Sequence, residues 1–322
     1  MITRTASKAL HAAPLSEHIG ADLAGVIVQD ILEDDWLDYR VKQELGEHLV
    51  LRLRSQEASA GTMVELAKRF GPLMDVRQVG NGALHVPGHD EIKVISNIFD
   101  GSGRRLGDGN ASAQIWHVDA SYWEAPPGVT IFYARQTPAH PPKTWFLNMI
   151  KVYESLPEDI RNTIAQLRVI HHQYPRGVEL GVHEDGPSLP LETRSAGILH
   201  PLVRRHLPTG RPILFLPYRR DCVIPGWSQE DATALLTQLW DIAESSPYQT
   251  AVALEPGDVV IWDNRGIVHR RDSWSANEGR LMWHLSSQGE VPTPMFPPKV
   301  VNINALGIDG TGDKSYIAGV EL

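Results

Sequence analysis

A histidine and an aspartate stand two residues apart in the segment WHVDASYW, at residues 116–123. Their neighbours are mostly β-formers, so the segment is predicted to be a strand, in which side chains at i and i+2 point to the same face. His117 and Asp119 would then project together from an apolar surface. An inward imidazole and carboxylate need a partner, and a metal ion would serve both. The spacing therefore indicates a metal site.

The same H-x-D spacing recurs at His183 and Asp185, within ELGVHEDGPSLP. Glycine and proline residues flank this second copy, so it is predicted to be a solvated loop. The pattern alone is therefore weak evidence for a metal site. The strand setting of the first copy and the sequence further downstream must support the prediction.

A third candidate ligand lies in EPGDVVIWDNRGIVHRRDSW, at residues 255–274. A Pro-Gly turn and a predicted strand come first, and His269 follows an apolar pair. Two imidazoles and one carboxylate could bind one side of a metal and leave three positions open, which suits non-haem Fe(II). Arg280 comes eleven residues after His269, at the start of another predicted strand. If it points inward, its planar guanidinium would bind a carboxylate.

The composition is that of a globular protein: 42% of the 322 residues are hydrophobic and 21% are charged. The net charge of −9 argues against a nucleic-acid partner. Four short arginine pairs, including Arg270–Arg271, are interpreted as solvated faces or partners of local carboxylates. The single cysteine, Cys222, excludes an internal disulfide. Because no run approaches a membrane span and the N-terminus has no sustained apolar stretch, we expect a cytoplasmic location and no membrane partner.

Hydrophobic periodicity predicts the elements that position these residues. Helical spacing predicts three of the helices, over residues 34–48, 59–70 and 228–244, the last with Ser228 as its N-cap. β-Forming runs predict strands over residues 48–54, 94–99, 129–135, 143–149, 250–253, 258–262 and 280–287. Many short strands with a few helices suggest a jelly-roll barrel with helices packed outside, in a single domain over residues 1–322.

Gly-rich pieces surround the predicted strand in residues 74–114 and are not expected to form a packed element. Long loops of this kind beside a candidate site are often lids that order when substrate binds. The alternative is a passive disordered insertion.

Taken in order, these motifs resemble the taurine dioxygenase / 2,4-dichlorophenoxyacetate dioxygenase family of Fe(II)/2-oxoglutarate-dependent oxygenases. The matching pieces are IGADLAGV, RFGPL, ISN at Ile95–Asn97, WHVDASYWEAPPGVTIFYAR, KTWFLNMIKVYESLP, HPLVRRHLPTGRPILF and GDVVIWDNRGIVHRR with Arg280. The likeness covers about residues 14–290 and leaves 296–322 as a C-terminal tail. It implies a mainly β fold with flanking helices, built on a double-stranded β-helix core of the jelly-roll, cupin-like type.

The resemblance also implies the roles of five residues. The metal ligands would be His117, Asp119 and His269, and the 2-oxoglutarate contacts would be Arg280, at the distal carboxylate, and the hydroxyl of Thr144. With Fe(II) and O₂, 2-oxoglutarate would be converted to succinate and CO₂ while a small-molecule substrate is oxidised, most simply by hydroxylation. A carboxylate at Asp119 favours oxygenation over halogenation. Oligomers are common in the family, so we expect a homo-oligomer.

Functions of other classes remain open at this point. The same three ligands would serve a zinc hydrolase or a cupin-type isomerase. In that case Thr144 is an ordinary strand residue and Arg280 a surface partner of Glu278 or Glu290. A non-catalytic binding protein on the same scaffold is a further alternative, against which the intact ligand set argues.

Departures from the family pattern bear on the substrate. Relatives that act on small sulfonates or aryloxy acids commonly carry a second Arg four residues after the first, where this chain has His284. After RFGPL, Val76 and Val79 stand where sulfonate-using relatives carry a His and a Tyr. We therefore expect a larger or less anionic substrate than taurine. The candidate pocket residues are Asn97, Tyr122, Trp123, His85, Trp283 and His284; for the aromatic ones, the alternative is a place in the core.

Overall fold

The computed structural model describes residues 10–74, 84–172 and 197–297, which are mainly β with several helices. The described helices are α1 (Val28–Glu33), α2 (Asp35–His48), α3 (Ala60–Lys68), α4 (Met149–Ser155), α5 (Glu158–Ile164) and α6 (Gln229–Ser245). The described strands are β1 (His11–Pro14), β2 (Ala21–Ala24), β3 (Val50–Leu53), β4 (His85–Val86), β5 (His89–Ser96), β6 (Gln114–His117), β7 (Val129–Gln136), β8 (Lys143–Asn148), β9 (Arg168–His171), β10 (Ile198–Pro201), β11 (Val203–Arg205), β12 (Pro212–Leu214), β13 (Gln249–Ala253), β14 (Val259–Asp263), β15 (Ile267–Arg271) and β16 (Leu281–Ser286). None of these helices is long and apolar enough to cross a membrane.

Two sheets contain most of the strands. The larger has the order β1-β2-β3-β14-β7-β16-β5-β4, and the smaller has the order β13-β8-β15-β6. The parallel pair β2–β3 lies in the larger sheet, and the other pairs among the described strands of both sheets are antiparallel. Strands β9 with β10, and β11 with β12, form two further two-stranded sheets. Partners in the two large sheets are mostly distant in sequence, so residues far apart along the chain meet.

Aromatic side chains from both sheets pack together in the main core. The ring of Trp262, on β14, lies edge-on to Phe132 of β7 at 4.8 Å between ring centroids and 5.6 Å from Phe146 of β8. Such contacts add to the free energy gained by burying these large side chains. Because β15 lies beside β8, the same core brings the ring of His269 to 5.1 Å from Trp262.

The other face of the larger sheet is covered by α1, α2 and α3. Ile131, Tyr133 and Ile261 belong to this second apolar cluster, together with Leu37 and Met63 from the helices. Along β7, Ile131 and Tyr133 therefore face the helices, whereas the intervening Phe132 faces the first core.

The helix predictions are confirmed. Helices α2, α3 and α6 begin one residue after Asp34, Ser59 and Ser228. Each of these side chains accepts a hydrogen bond from a backbone N–H in the first turn, which satisfies a donor that has no partner within the helix.

The strand predicted over residues 116–123 is wrong beyond His117. Strand β6 ends there, and a turn follows in which Ala120 has a φ of +44° and Trp123 N–H donates to the Ala120 carbonyl at 2.9 Å. The alternation of apolar residues indicated a longer strand, yet successive i, i+2 positions in an extended chain lie about 6–7 Å apart. The turn brings the carboxylate of Asp119 closer to His117 than a strand would.

The Gly-rich residues 97–113 are hydrogen-bonded along β5, contrary to the sequence expectation, although most of them are exposed or half-buried. The chain returns along β5 through hydrogen bonds from Leu106 N–H to the Ile98 carbonyl and from Asp108 N–H to the Val94 carbonyl, both 2.9 Å. The carboxylate of Asp100 accepts from the backbone N–H groups of residues 102 and 104 and so closes the turn. A passive disordered insertion is excluded for this stretch, and a lid function stays a prediction.

Gly107 permits this close return, and its replacement tests the packing. A Cβ atom there would lie 2.6 Å from the Val94 carbonyl oxygen and 2.8 Å from the Ser96 nitrogen, which are backbone atoms that cannot move aside. We expect Gly107→Ala to lower the free energy of unfolding by about 1–3 kcal/mol in chemical denaturation. Gly101→Ala is the matched control, because nothing lies within 4 Å of its added Cβ. Equal stabilities of the two variants would contradict this account.

Candidate metal centre

The three candidate ligands converge at one point between β6 and β15. His117 and His269 are directly opposite each other in the antiparallel pair, and their ring centroids are 4.2 Å apart. Asp119 Oδ1 lies 3.7 Å from His117 Nε2 and 3.8 Å from His269 Nε2. One ligand atom from each residue lies within 4.8 Å of the others, a spacing that a single metal ion could bridge. The structure therefore brings together the residues that the sequence indicated.

Hydrogen bonding fixes the orientation of the His117 ring. Its Nδ1 is 2.8 Å from the carbonyl oxygen of Ile115, which can only accept, so Nδ1 carries the proton. Nε2 is then left with a free lone pair toward Asp119. The Nδ1 atom of His269 is buried without a hydrogen-bond partner in the described part of the chain. A metal ion would bind through Nε2, which faces Asp119 Oδ1.

Burial and charge keep Asp119 ionised and His269 neutral, which are the protonation states that a metal requires. Burial, with the neighbouring His117, lowers the pKa of His269 to about 3, so this imidazole is neutral at neutral pH. For Asp119, burial opposes ionisation, but the imidazoles of His269, His284 and His117 hold the pKa of the carboxyl well below its usual range. An ionised carboxylate beside a neutral imidazole is suited to binding a metal ion.

A third imidazole contacts the other oxygen of the carboxylate. His284 Nε2 lies 3.6 Å from Asp119 Oδ2, and Thr130 Oγ1 donates to the same oxygen at 3.4 Å. The two carboxylate oxygens therefore have different surroundings. Oδ1 faces the candidate ligands, and Oδ2 is held by residues of β16 and β7.

A cavity of about 210 Å³ lies in front of the three ligands. Its wall contains two of the predicted pocket residues, Tyr122 and His284, whereas the charged groups Glu91 and Lys93 were not predicted. Their alternation along β5 is a signal that could have placed them on one face. Its other lining residues are Met74, Ile95, Gln114, Ala120, Pro127, Phe132 and Ser286. Residues 75–83, with Val76 and Val79, and the second H-x-D motif lie outside the described residues.

The placement of Trp283 in the pocket is wrong. Adjacent residues of a strand face opposite sides, and His284 already faces the cavity. The Trp283 ring instead packs edge-on against Tyr133 at 5.6 Å and lies 4.5 Å from the guanidinium carbon of Arg135. It belongs to the helix-covered cluster, which is the core alternative considered for the aromatic residues.

Asn97 acts on the backbone before β16 rather than lining the cavity. Its side-chain amide donates to the Glu278 carbonyl at 3.0 Å and accepts from the Arg280 N–H at 2.8 Å. It therefore fixes the chain at the point where Arg280 enters the core.

The other two predicted pocket residues also lie elsewhere. His85 is exposed on β4, with its Nε2 3.2 Å from Asp90 Oδ1. Trp123 is half-buried, and its carbonyl lies 2.9 Å from His200 Nε2. Neither is among the described residues that line the cavity. A substrate contact by either residue stays a prediction.

Arg280 is 4% exposed, and its guanidinium lies over the Trp274 ring, 5.6 Å from the centroid. No described carboxylate lies within 4.0 Å of it. Burial, with a contribution from Arg271, lowers its pKa to about 9, so it stays charged at neutral pH. Thr144 is buried on β8, directly opposite Arg271 of β15. These residues supply a buried cation just before β16 and a buried hydroxyl on β8, the strand beside β15.

The surface-pair alternative for Arg280 is wrong. The Glu290 carboxylate instead accepts from Arg204 at 3.0 Å, and the Glu278 carboxylate accepts from the Ala139 N–H at 3.2 Å. The guanidinium of Arg280 is thus buried without either expected acidic partner.

The comparisons with known proteins agree over most of the chain. A family model described as "Taurine catabolism dioxygenase TauD, TfdA family" matches residues 11–286. A protein named (S)-phenoxypropionate/alpha-ketoglutarate-dioxygenase, from Sphingobium herbicidovorans, is 30% identical over 88% of this chain and 96% of its own length. The alpha-ketoglutarate-dependent 2,4-dichlorophenoxyacetate dioxygenase of a Burkholderia species is 28% identical over 77% of this chain and 84% of its own.

Solved structures show the same fold. The crystal structure of a taurine dioxygenase from Burkholderia xenovorans has a TM-score of 0.70 at 24% identity, over 88% of this chain and 92% of that one. AAD-2 in complex with Mn(II) and N-oxalylglycine has a TM-score of 0.69 at 21% identity, over 88% and 99%. The likeness therefore concerns the whole described fold and not a single motif.

Removal of the central carboxylate tests the metal site. We expect Asp119→Ala to weaken Mn(II) binding at least about 100-fold in calorimetric titration, because a charged ligand is lost. A second cluster, Glu44, Glu47 and His48 on α2, also has its ligand atoms within 4.8 Å. Glu47→Ala is therefore the matched control and should leave Mn(II) binding unchanged. The opposite result would place the metal on α2.

Proposed function

The chain belongs to the taurine catabolism dioxygenase TauD, TfdA family, and from this premise we propose that it hydroxylates a small organic substrate at the centre formed by His117, Asp119 and His269. The resemblance drawn from the sequence motifs is confirmed. The protein is a 2-oxoglutarate-dependent non-haem iron dioxygenase that uses Fe(II), 2-oxoglutarate and O₂. The observation that supports the proposed site best is the convergence of the three ligand atoms within 4.8 Å.

The donor atoms fit ferrous iron. Two imidazoles and one carboxylate leave positions open for a co-substrate, and thiolates that would favour zinc or a cluster are missing, since the sole cysteine, Cys222, is buried in the core. Iron with 2-oxoglutarate and O₂ supplies an oxidant strong enough to attack a C–H bond. The part of the protein is to bind, orient and exclude water. In our proposal Asp119 binds the metal through Oδ1 alone, because His284 and Thr130 hold Oδ2.

The buried cation positions the co-substrate in this proposal. We assign the distal carboxylate of 2-oxoglutarate to Arg280, with the hydroxyl of Thr144 as a second contact. A guanidinium buried without a carboxylate partner carries an uncompensated charge, which an anionic ligand would neutralise. Arginine suits this role because it keeps its charge on burial and presents a planar fork of donors.

The finer points of the architecture are also proposals. We propose that the two facing antiparallel sheets form the double-stranded β-helix core of a single domain, supported by the likeness to the solved dioxygenase structures. The homo-oligomer and the cytoplasmic location stay predictions, and the tail at residues 298–322 lies outside the described residues.

For the substrate, we propose a molecule without the sulfonate or carboxylate group that taurine and the aryloxy acids present. Lys93 supplies a cation to the cavity wall, but its Nζ lies 4.0 Å from the carboxylate of Asp108, and Glu91 lines the same wall. His284, at the position of the second family arginine, faces Asp119. Among the described lining residues, a sulfonate would therefore meet no cation that lacks a nearby carboxylate. The expectation of a larger substrate stays a prediction, because residues 75–83 are not described.

A zinc hydrolase, a cupin-type isomerase or a non-catalytic binding protein is not favoured. None of these functions needs a buried guanidinium without a described acidic partner. Family membership also supports the oxygenase.

Loss of the Arg280 charge tests the co-substrate assignment. We expect Arg280→Met to raise the KM for 2-oxoglutarate by about 10- to 150-fold, the effect of losing a charged hydrogen bond, while Mn(II) affinity is retained. Succinate release with Fe(II) and O₂ measures this, with Asp119→Ala as the inactive control. Succinate release that persists when zinc replaces iron would contradict the proposed function.

A substrate screen tests the proposed charge preference. We expect neutral or weakly charged compounds to stimulate succinate release above the rate seen without substrate, because the described part of the cavity wall offers no cation without a nearby carboxylate. Taurine and aryloxyacetates serve as the anionic comparison set. Fast, saturable stimulation by either anion would show that the charge argument is wrong.

A further inference from the structure

A second buried arginine lies beside the proposed co-substrate site. Arg271 is 5% exposed and stands two residues after His269 on β15, so both side chains are on the same face of the strand. Its partner across the sheet is Thr144. The intervening Arg270 lies on the opposite face, over the Trp145 ring. Alternation along the strand thus separates two adjacent arginines.

Arg271 and Arg280 lie against the same aromatic ring. Their guanidinium carbons are 4.3 Å and 5.6 Å from the centroid of Trp274, whose indole N–H donates to the Glu278 carbonyl at 3.0 Å. The two cations therefore share one small, buried region although they come from different sheets.

No described carboxylate neutralises this pair. Neither guanidinium has a described acidic oxygen within 4.0 Å, whereas Arg270 donates to Asp272 at 2.8 Å. The Nε atom of Arg271 is buried without a hydrogen-bond partner in the described part of the chain, and one terminal nitrogen donates to the carbonyl of Asn110. Two buried like charges are costly unless an anion lies between them.

We propose that Arg271 is a second cationic contact for the distal carboxylate of 2-oxoglutarate, which it binds together with Arg280 and Thr144. This inference rests on the proposed function. Each carboxylate oxygen can accept from a different guanidinium, so the site recognises a second negative charge on the co-substrate. A 2-oxo acid of the same length without that carboxylate is expected to bind poorly.

A purely structural role for Arg271 leads to a different expectation. The donation to Asn110 and the nearby Ser112 carbonyl could simply hold the Gly-rich return in place. Removing such a contact would weaken all ligands alike through the altered loop. A carboxylate contact would instead change only the preference for ligands that carry the distal charge.

The test measures that preference directly. Dissociation constants of 2-oxoglutarate and of 2-oxopentanoate, which has a methyl group in place of the distal carboxylate, are determined by anaerobic calorimetry with Mn(II)-loaded protein. We expect Arg271→Met to reduce the wild-type preference for 2-oxoglutarate by about tenfold or more. Arg270→Met is the matched control, because the same residue type faces away from the site, and it should keep the full preference. Arg271→Lys, which retains a charge, should fall between wild type and Arg271→Met, and circular dichroism verifies that each variant is folded.

Two results would overturn the inference. If Arg271→Met weakens both ligands equally or changes neither, while Arg280→Met abolishes the preference, Arg271 is not a carboxylate contact and the proposed function is unaffected. If wild-type protein with Mn(II) does not prefer 2-oxoglutarate at all, the proposed function and this inference fail together.

Discussion

The site depends on one constraint, the register between β6 and β15. His117 lies opposite His269 in this antiparallel pair, so the two imidazoles share a face and their rings lie 4.2 Å apart. A slip of one residue would send one ring to the opposite face of the sheet and divide the ligand set. The register is held from the other side by β8, where Phe146 is the partner of His269 and packs on Trp262 of the larger sheet. Core packing between the sheets therefore determines the geometry of the centre.

The alternation of β15 also distributes positive charge. Its inward positions hold His269 and Arg271, and the outward position between them holds Arg270, which pairs with Asp272. Arg270 and Arg271, although adjacent in the sequence, thus lie on opposite faces of the strand. Arg270 is neutralised by the protein, whereas Arg271 and Arg280 are buried without a described acidic partner. In the proposed function a ligand carboxylate neutralises this charge. The buried charge destabilises the ligand-free protein, and relief of that cost on binding contributes to the binding free energy.

Local signals predicted local structure well. The N-caps Asp34, Ser59 and Ser228 mark helix starts because capping is decided by the residue itself and its first turn. The direction in which an individual side chain points was harder to predict from the sequence, since it depends on register and on the partner strand. Trp283 was expected in the pocket and lies on the opposite face from His284 for this reason. The turn at Asp119 was missed because β-forming neighbours predicted a strand, although the two residues that the strand was meant to bring together do meet.

Arg271 shows what limits inference from a sequence. An arginine pair is usually solvated, and the sequence alone does not distinguish Arg270 from Arg271. The two differ once His269 is taken as a metal ligand, because that choice fixes which face of β15 points inward. Once that face is known, the inward position follows from a count of two residues.

His284 bears on where positive charge lies in the protein. It stands where relatives that act on anionic substrates carry an arginine, yet here its imidazole faces Asp119 Oδ2. Positive charge without a described acidic partner is therefore concentrated at the proposed co-substrate end, while the cavity in front of the metal ligands has a wall of mixed polar and apolar groups. A dioxygenase arranged this way would recognise its co-substrate by charge and its primary substrate by shape together with polar and apolar contacts.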